Sequence, residues 1–171
     1  GTNMVELEGW ALPGLVDVHC HVGLGAQGAV DATTAQEQAL TDRDSGVLLV
    51  RDAGSPLDTR WVHGRRDLPR LVRAGRHLAR PKRYLRHYGL ELDDVAQLPE
   101  AVRREARQGD GWVRIVGAWL DRALGPQGAL RPLWPDDVLA EAVAAAHAEA
   151  ARVPVHAFSD EVIPSLLAAG V

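Results

Sequence analysis

Short apolar runs alternate along the chain with longer stretches whose apolar residues recur at helical spacing. The first run is Leu15-Val16-Asp17-Val18, launched by the turn pair Pro13-Gly14. A polar, helix-compatible stretch follows from Thr33 to Ser45, and Gly46 stands where a helix-ending glycine belongs. Val47-Leu48-Leu49-Val50 is continuously apolar, the pattern of a strand buried on both faces. A weaker third strand is expected over Leu71-Val72-Arg73-Ala74. A helix from Pro99 to Gln108, with proline in its first turn, leads to a fourth strand over Trp112–Val116. The most regular helix runs from about Pro135 to Ala151, its buried stripe marked by Val138, Leu139, Ala142, Val143 and Ala146. Val153-Pro154-Val155-His156 reads as a fifth strand, with proline near its start where a missing N–H is tolerable. Asp160 to Ala169 reads as a short helix leading into Gly170-Val171, the opening of a sixth strand.

This alternation predicts an α/β fold with a parallel sheet. The order of elements is that of a (β/α)8 TIM-barrel, represented over residues 13–171 by a partial barrel of about five β/α units. Residues 1–12 are set apart as an N-terminal segment and edge strand, with Gly1-Thr2-Asn3 ahead of Met4 reading as a tag remnant or an internal cut. A closed barrel takes ~250 residues. Open strand edges are therefore expected here, to be covered by further chain or by self-association.

Composition narrows the classes. The chain has 171 residues, 46% hydrophobic and 25% charged, which suits one folded core rather than disorder. A net charge of −4 leaves no global footprint for nucleic acid or an anionic membrane, and no stretch is long and apolar enough to span a bilayer. The start lacks the layout of a signal peptide, and the only cysteine, Cys20, permits no internal disulfide. The expected location is cytoplasmic. Arg60 to Arg86 is dense in arginine, but Lys82 is the only lysine anywhere, so arginine abundance says little about that stretch. A solvated face or a local site for an anionic small molecule is expected there, not a nucleic-acid interface.

The sharpest chemical feature is His19-Cys20-His21. Residues two apart on a strand project to one side, so both imidazoles can reach one ion while Cys20 points away as a small buried filler. Neutral imidazole is a good ligand for zinc and similar metals. The pair follows a strand directly, at the end where barrel active sites form. Arg51-Asp52, at the end of the second strand, is a candidate for lining a substrate pocket. Arg76, His77 and Tyr84 lie near the third strand, where surface or loop contacts are the favoured reading. His147 reads as a packing residue of the long helix.

Leu12-Pro13-Gly14-Leu15-Val16-Asp17-Val18-His19-Cys20-His21 resembles the PGLxDxHxH signature of the amidohydrolase superfamily. Gly46 to Pro56, GVLLVRDAGSP, is similar to the second strand and following loop of its imidazolonepropionase-like and prolidase-like branch. Ala144 to Ala157, AAAHAEAARVPVHA, is similar to the helix and fifth strand that deliver a third metal histidine. The resemblance implies a metal-dependent hydrolase acting on a C–N bond of a small molecule through metal-activated water. It implies His19, His21 and His156 as ligands of one divalent metal, with zinc expected and a position left open for water.

Two departures qualify that implication. Arg114 stands where relatives that bridge two metals carry a carbamylated lysine, and a guanidinium cannot take up CO₂. A one-metal site is expected, or a degenerate one in which a cation replaces the second metal. The general-base aspartate and fourth histidine of the superfamily belong to strands expected beyond Val171, and Asp17, Asp52 and Asp121 do not match that aspartate. The chain alone is expected to be inactive. A single-metal deaminase of the same superfamily and a non-catalytic truncated or degenerate barrel fragment are the alternatives.

Overall fold

The computed structural model describes residues 5–121 and 130–171. Gly1–Asn3 therefore lie outside the described residues. From Val5 to Gly14 there is no helix or strand. The edge strand expected there does not form over its described part: its apolar side chains find no surface to bury them, Trp10 being 99% exposed.

Six strands run from the first apolar segment to the middle of the chain. They are β1 (Leu15–Cys20), β2 (Leu24–Gly25), β3 (Gly28–Ala29), β4 (Val47–Asp52), β5 (Arg70–Arg73) and β6 (His77–Ala79). The 13-residue helix α1 (Ala32–Asp44) lies between β3 and β4. Beyond them come β7 (Gly89–Glu91), α2 (Leu98–Gln108), β8 (Ile115–Val116) and β9 (Ala118–Leu120). The described chain ends with β10 (Leu130–Pro132), α3 (Asp136–Ala148), β11 (Val155–His156) and α4 (Ile163–Ala169). Among the described residues no helix is long and apolar enough to cross a membrane.

The helices have local causes. Asp31 caps α1 by accepting the Thr34 N–H at 2.8 Å, and Gly46 follows its C-terminus at a φ of +94°, a conformation that favours glycine. Gly170 ends α4 in the same way, at +90°. Helix α3 buries Leu139, Ala142, Val143 and Ala146 as its spacing predicts, whereas His147 is exposed rather than packed.

Two parallel sheets form the frame. One has the order β1-β4-β5, the other β11-β8-β6-β7. The hairpins β2–β3 and β9–β10 are antiparallel additions. The third strand expected over Leu71–Ala74 forms as β5 and pairs with β4. After a short break a further strand that the sequence reading did not include, β6, pairs with β8 through Leu78 opposite Ile115. The break falls at Ala74-Gly75-Arg76. There Glu105 of α2 reaches in and accepts the Arg76 N–H at 2.8 Å, so the interruption does not leave that donor unpaired. The fourth strand is shorter than expected, with Trp112 joined only by a bridge to Arg152.

The larger core gathers Leu78, Leu98, Val102, Ile115, Leu139 and Val143 between the second sheet and helices α2 and α3. Each such side chain contributes roughly 1.5–3 kcal/mol through burial. A smaller core joins Val22, Ala35, Ala39, Val50 and Leu71 under the first sheet. The continuous run Val47–Val50 is not buried on both faces: Leu48 is 53% exposed, as are Val16 and Val18 of β1 to similar degrees. No described element lies over that side, so their methyl groups meet solvent.

Candidate functional site

The register of β1 against β4 shifts between Asp17 and Cys20. At that irregularity the Asp17 carboxylate accepts the His19 N–H at 2.9 Å, which holds the strand end as it bends. His19 and His21 emerge side by side, their ring centroids 5.3 Å apart and nearly perpendicular. Cys20 turns to the opposite side as expected, packing against the α1 core with Asp42 beside it. Burial pushes its thiol up to about 12, so it is not a nucleophile at neutral pH.

The loop after β4 supplies the next contact. The Gly54 carbonyl lies 2.6 Å from His21 Nδ1. A carbonyl only accepts, so Nδ1 carries the proton and the Nε2 lone pair remains available. Gly54 has a φ of +117°, and a Cβ there would sit 2.9 Å from the His77 ring. Its own N–H is held by Asp52 Oδ1 at 2.9 Å. Asp52 thus fixes the glycine that fixes the histidine.

His77 opens β6 and is fully buried, and among the described residues neither ring nitrogen has a hydrogen-bond partner. Its ring lies 5.4 Å from that of His21 and 4.9 Å from that of Tyr84. Tyr84 in turn stands 5.3 Å from His156, which closes β11 and packs edge-on against Phe158 at 4.4 Å. Five side chains from four segments therefore surround one region at the C-terminal ends of parallel strands. The surface or loop reading favoured for His77 and Tyr84 does not hold, because both are buried in this cluster; Arg76 alone is exposed. The sequence signal for His77 was weak, since the strand that positions it begins only after the break at Gly75.

Arg114 is the charged member of the cluster and is 4% exposed. Its Nη2 approaches His156 Nδ1 at 3.5 Å, while among the described residues its Nε has no partner. Burial is the largest cause that holds the nearby histidines below their ordinary range, and this guanidinium lowers each of them further. His156 is lowered to about 4 and His77 to about 2, and His19 and His21 are lowered as well. All four imidazoles are neutral at pH 7.

Arg51 and Asp52 part company, because neighbouring strand residues face opposite sides. Arg51 acts electrostatically on His19 and Arg114, donates from Nε to the Val18 carbonyl at 2.7 Å and lies over Trp112. Asp52 faces a separate cavity of about 150 Å³, shared with Ser55, Arg73 and Glu105. Burial raises its carboxyl to about 7. In the arginine-rich segment Arg60 pairs with Asp58, Arg65 with Asp67, Arg73 with Asp110 and Arg83 with Asp121.

Neutral imidazoles with free lone pairs have the donor chemistry of a metal site, and His21 has the fixed tautomer such a ligand needs. Among the described residues, no group of three or more histidine, cysteine or carboxylate side chains is arranged to hold a metal ion. His19 and His21 stand together, whereas His156 is turned toward Arg114 and the aromatic rings.

No protein-family model matches the chain. Over all 171 residues it is 56% identical to uncharacterized proteins of Mycobacterium tuberculosis and Mycobacterium bovis, and it spans 45% of their length. Among solved structures it is similar to a prolidase complexed with N-methylphosphonate-L-proline, at a TM-score of 0.71 and 23% identity, over 94% of this chain and 46% of that one. A Xaa-Pro dipeptidase with methionine bound in its active site gives a TM-score of 0.71 at 24% identity, over 94% of this chain and 47% of that one. Ochratoxinase of A. niger gives 0.70 at 17% identity, over 92% and 46%. The chain has the fold of the N-terminal region of amidohydrolases and prolidases, over a little under half the length of those structures.

Proposed function

We propose that the chain forms about five β/α units of an amidohydrolase-type barrel, and that the protein hydrolyses a C–N bond of a small molecule with one divalent metal ion. Strands β1, β4, β5, β6, β8 and β11 follow one another in chain order and run parallel, which supports the barrel path. The carrying observation for the site is the His21 Nδ1 contact to Gly54, which leaves Nε2 directed for donation beside His19. His19 and His21 would hold the ion, with His156 as the third ligand once released from Arg114. Zinc is the expected metal, and when bound it would lower the pKa of a water and polarise the scissile carbonyl.

A second metal ion does not fit these residues. The Arg114 guanidinium lies among the histidines and its positive charge opposes another cation. The chain's own contribution is to keep the imidazoles neutral, to fix the His21 tautomer through Gly54, and to wall the region with Tyr84, Trp119 and Phe158. Elemental analysis of the zinc-loaded protein tests the reading. One zinc per chain, lost on replacing His19 and His21 with alanine, is expected; equal metal content in the double variant would overturn it.

A further inference from the structure

A cavity of about 150 Å³ opens between the loop after β4, the break after β5 and helix α2. It lies on the face of β4 opposite Arg51, and none of the clustered histidines lines it. All of its walls come from residues 52–108, and the strands that border it, β4 and β5, are already paired with each other, so no further strand is needed to build it. Asp52 is 1% exposed there. Its Oδ1 accepts the Gly54 N–H at 2.9 Å, but among the described residues Oδ2 has neither a hydrogen bond nor an ion pair. The buried Thr59 hydroxyl has no partner among the described residues either, and Glu105 uses only Oε2, on the Arg76 N–H. The arginines of the wall are committed elsewhere. Arg73 gives Nε and Nη2 to Asp110 at 3.0 Å each, Arg60 is turned onto Asp58, and the exposed Arg76 guanidinium reaches the Gly89 carbonyl. Burial raises the Asp52 carboxyl, and the opposing pull of Arg73 is itself countered by Asp110.

A buried carboxylate, a buried hydroxyl and a half-used carboxylate around one cavity are acceptors without donors. We propose that this cavity binds a small primary ammonium ion, with Asp52 Oδ2 as its counter-ion and the Thr59 hydroxyl and Glu105 Oε1 as further acceptors. Such an ion carries three N–H donors on one positive centre, which suits acceptors spread around a small volume. Pockets for drug-sized molecules run to roughly 300–1,000 Å³, so a small amine is the class this space admits. A metal ion suits it less well, because among the described residues no three histidine, cysteine or carboxylate side chains are arranged to hold one. The site does not rest on the hydrolase reading above. It reaches the histidines through one backbone unit, since Asp52 holds the Gly54 N–H and the Gly54 carbonyl accepts from His21.

The test uses metal-free protein at pH 8, where Asp52 is ionised in the folded state. Methylammonium chloride is titrated while the Gly54 backbone amide resonance is followed by NMR. Tetramethylammonium chloride, which has the same charge and no N–H, keeps the ionic strength constant, and potassium chloride serves as a second control. A saturable shift with methylammonium and none with either control is expected. The variant D52N, checked for folding by circular dichroism, should bind methylammonium at least tenfold more weakly, and T59V severalfold more weakly. If D52N does not fold, T59V decides. No saturable shift in the wild-type protein, an equal shift with potassium or tetramethylammonium, or unaltered methylammonium affinity in the folded variant would overturn the proposal.

Discussion

The carbonyl oxygen of Gly54 accepts a hydrogen bond from Nδ1 of His21 at 2.6 Å. Through this contact the loop after β4 decides which imidazole nitrogen of β1 keeps its lone pair. The same glycine leaves room for His77, so a single backbone position organises two of the clustered histidines.

Replacing Gly54 with alanine should therefore be costly in two ways. The backbone is held at a φ of +117°, and the added methyl would lie 2.9 Å from His77 Cε1. We expect a loss of about 2–4 kcal/mol in urea unfolding, more than for alanine at a permissive glycine. A change below about 0.5 kcal/mol, the range of an ordinary surface substitution, would show that the loop relaxes without disturbing His77.

Asp52 gives a pH signature. Its folded carboxyl is raised to about 7 against an ordinary value of 3.8, chiefly by burial. The folded state thus holds a proton that the unfolded state releases, and Asp52 lowers stability as pH rises from about 4 through 7. Asparagine at this position keeps an oxygen for the Gly54 N–H and has no charge to bury. D52N should gain stability relative to the wild type at pH 8 and show little difference at pH 4. Thermal unfolding at the two pH values measures this, and a pH-independent difference would contradict it.

The histidines shift stability in the opposite sense. His156 and His77 are lowered to about 4 and about 2, whereas both titrate near 6.5 when unfolded. Between pH 6.5 and 4 the unfolded chain binds more protons, so metal-free protein loses stability as pH falls through that window. In NMR titrations the His156 ring should remain neutral at pH 5.5, where exposed imidazoles are mostly charged. Protonation of His156 with an ordinary midpoint would contradict its burial beside Arg114.

Glu105 seals the break between β5 and β6 by accepting the Arg76 N–H at 2.8 Å. Alanine here leaves that donor without its acceptor and opens space beside Gly75, where the carboxylate is tightly packed. A loss of about 1–3 kcal/mol is expected. Hydrogen exchange should report faster exchange at Arg76 specifically, and uniform exchange across both sheets would argue against a local seal.

Much of the frame follows from the chain itself. Apolar runs specify β1 and β4, a polar stretch closed by Gly46 specifies α1, a first-turn proline marks α2 and helical spacing marks α3, because each of these signals is set by local geometry. The turn glycine Gly46 is legible for the same reason, since few other residues tolerate its φ, whereas Gly170, expected to open a sixth strand, ends α4. The His19-Cys20-His21 pattern also announces itself, because alternation along a strand needs no distant partner. Tertiary structure alone decided the rest. His77 lies past a strand break that depends on Glu105, 28 residues further along. Arg114 could be read as a departure at one position, but its burial among neutral rings follows only from the meeting of β1, β6, β8 and β11. Arg51 and Asp52 are adjacent in sequence yet serve different surroundings, because what lies on either face of β4 is set by packing rather than by the strand. Local propensity wrote the elements; the charge balance of the site arose from which of them came together.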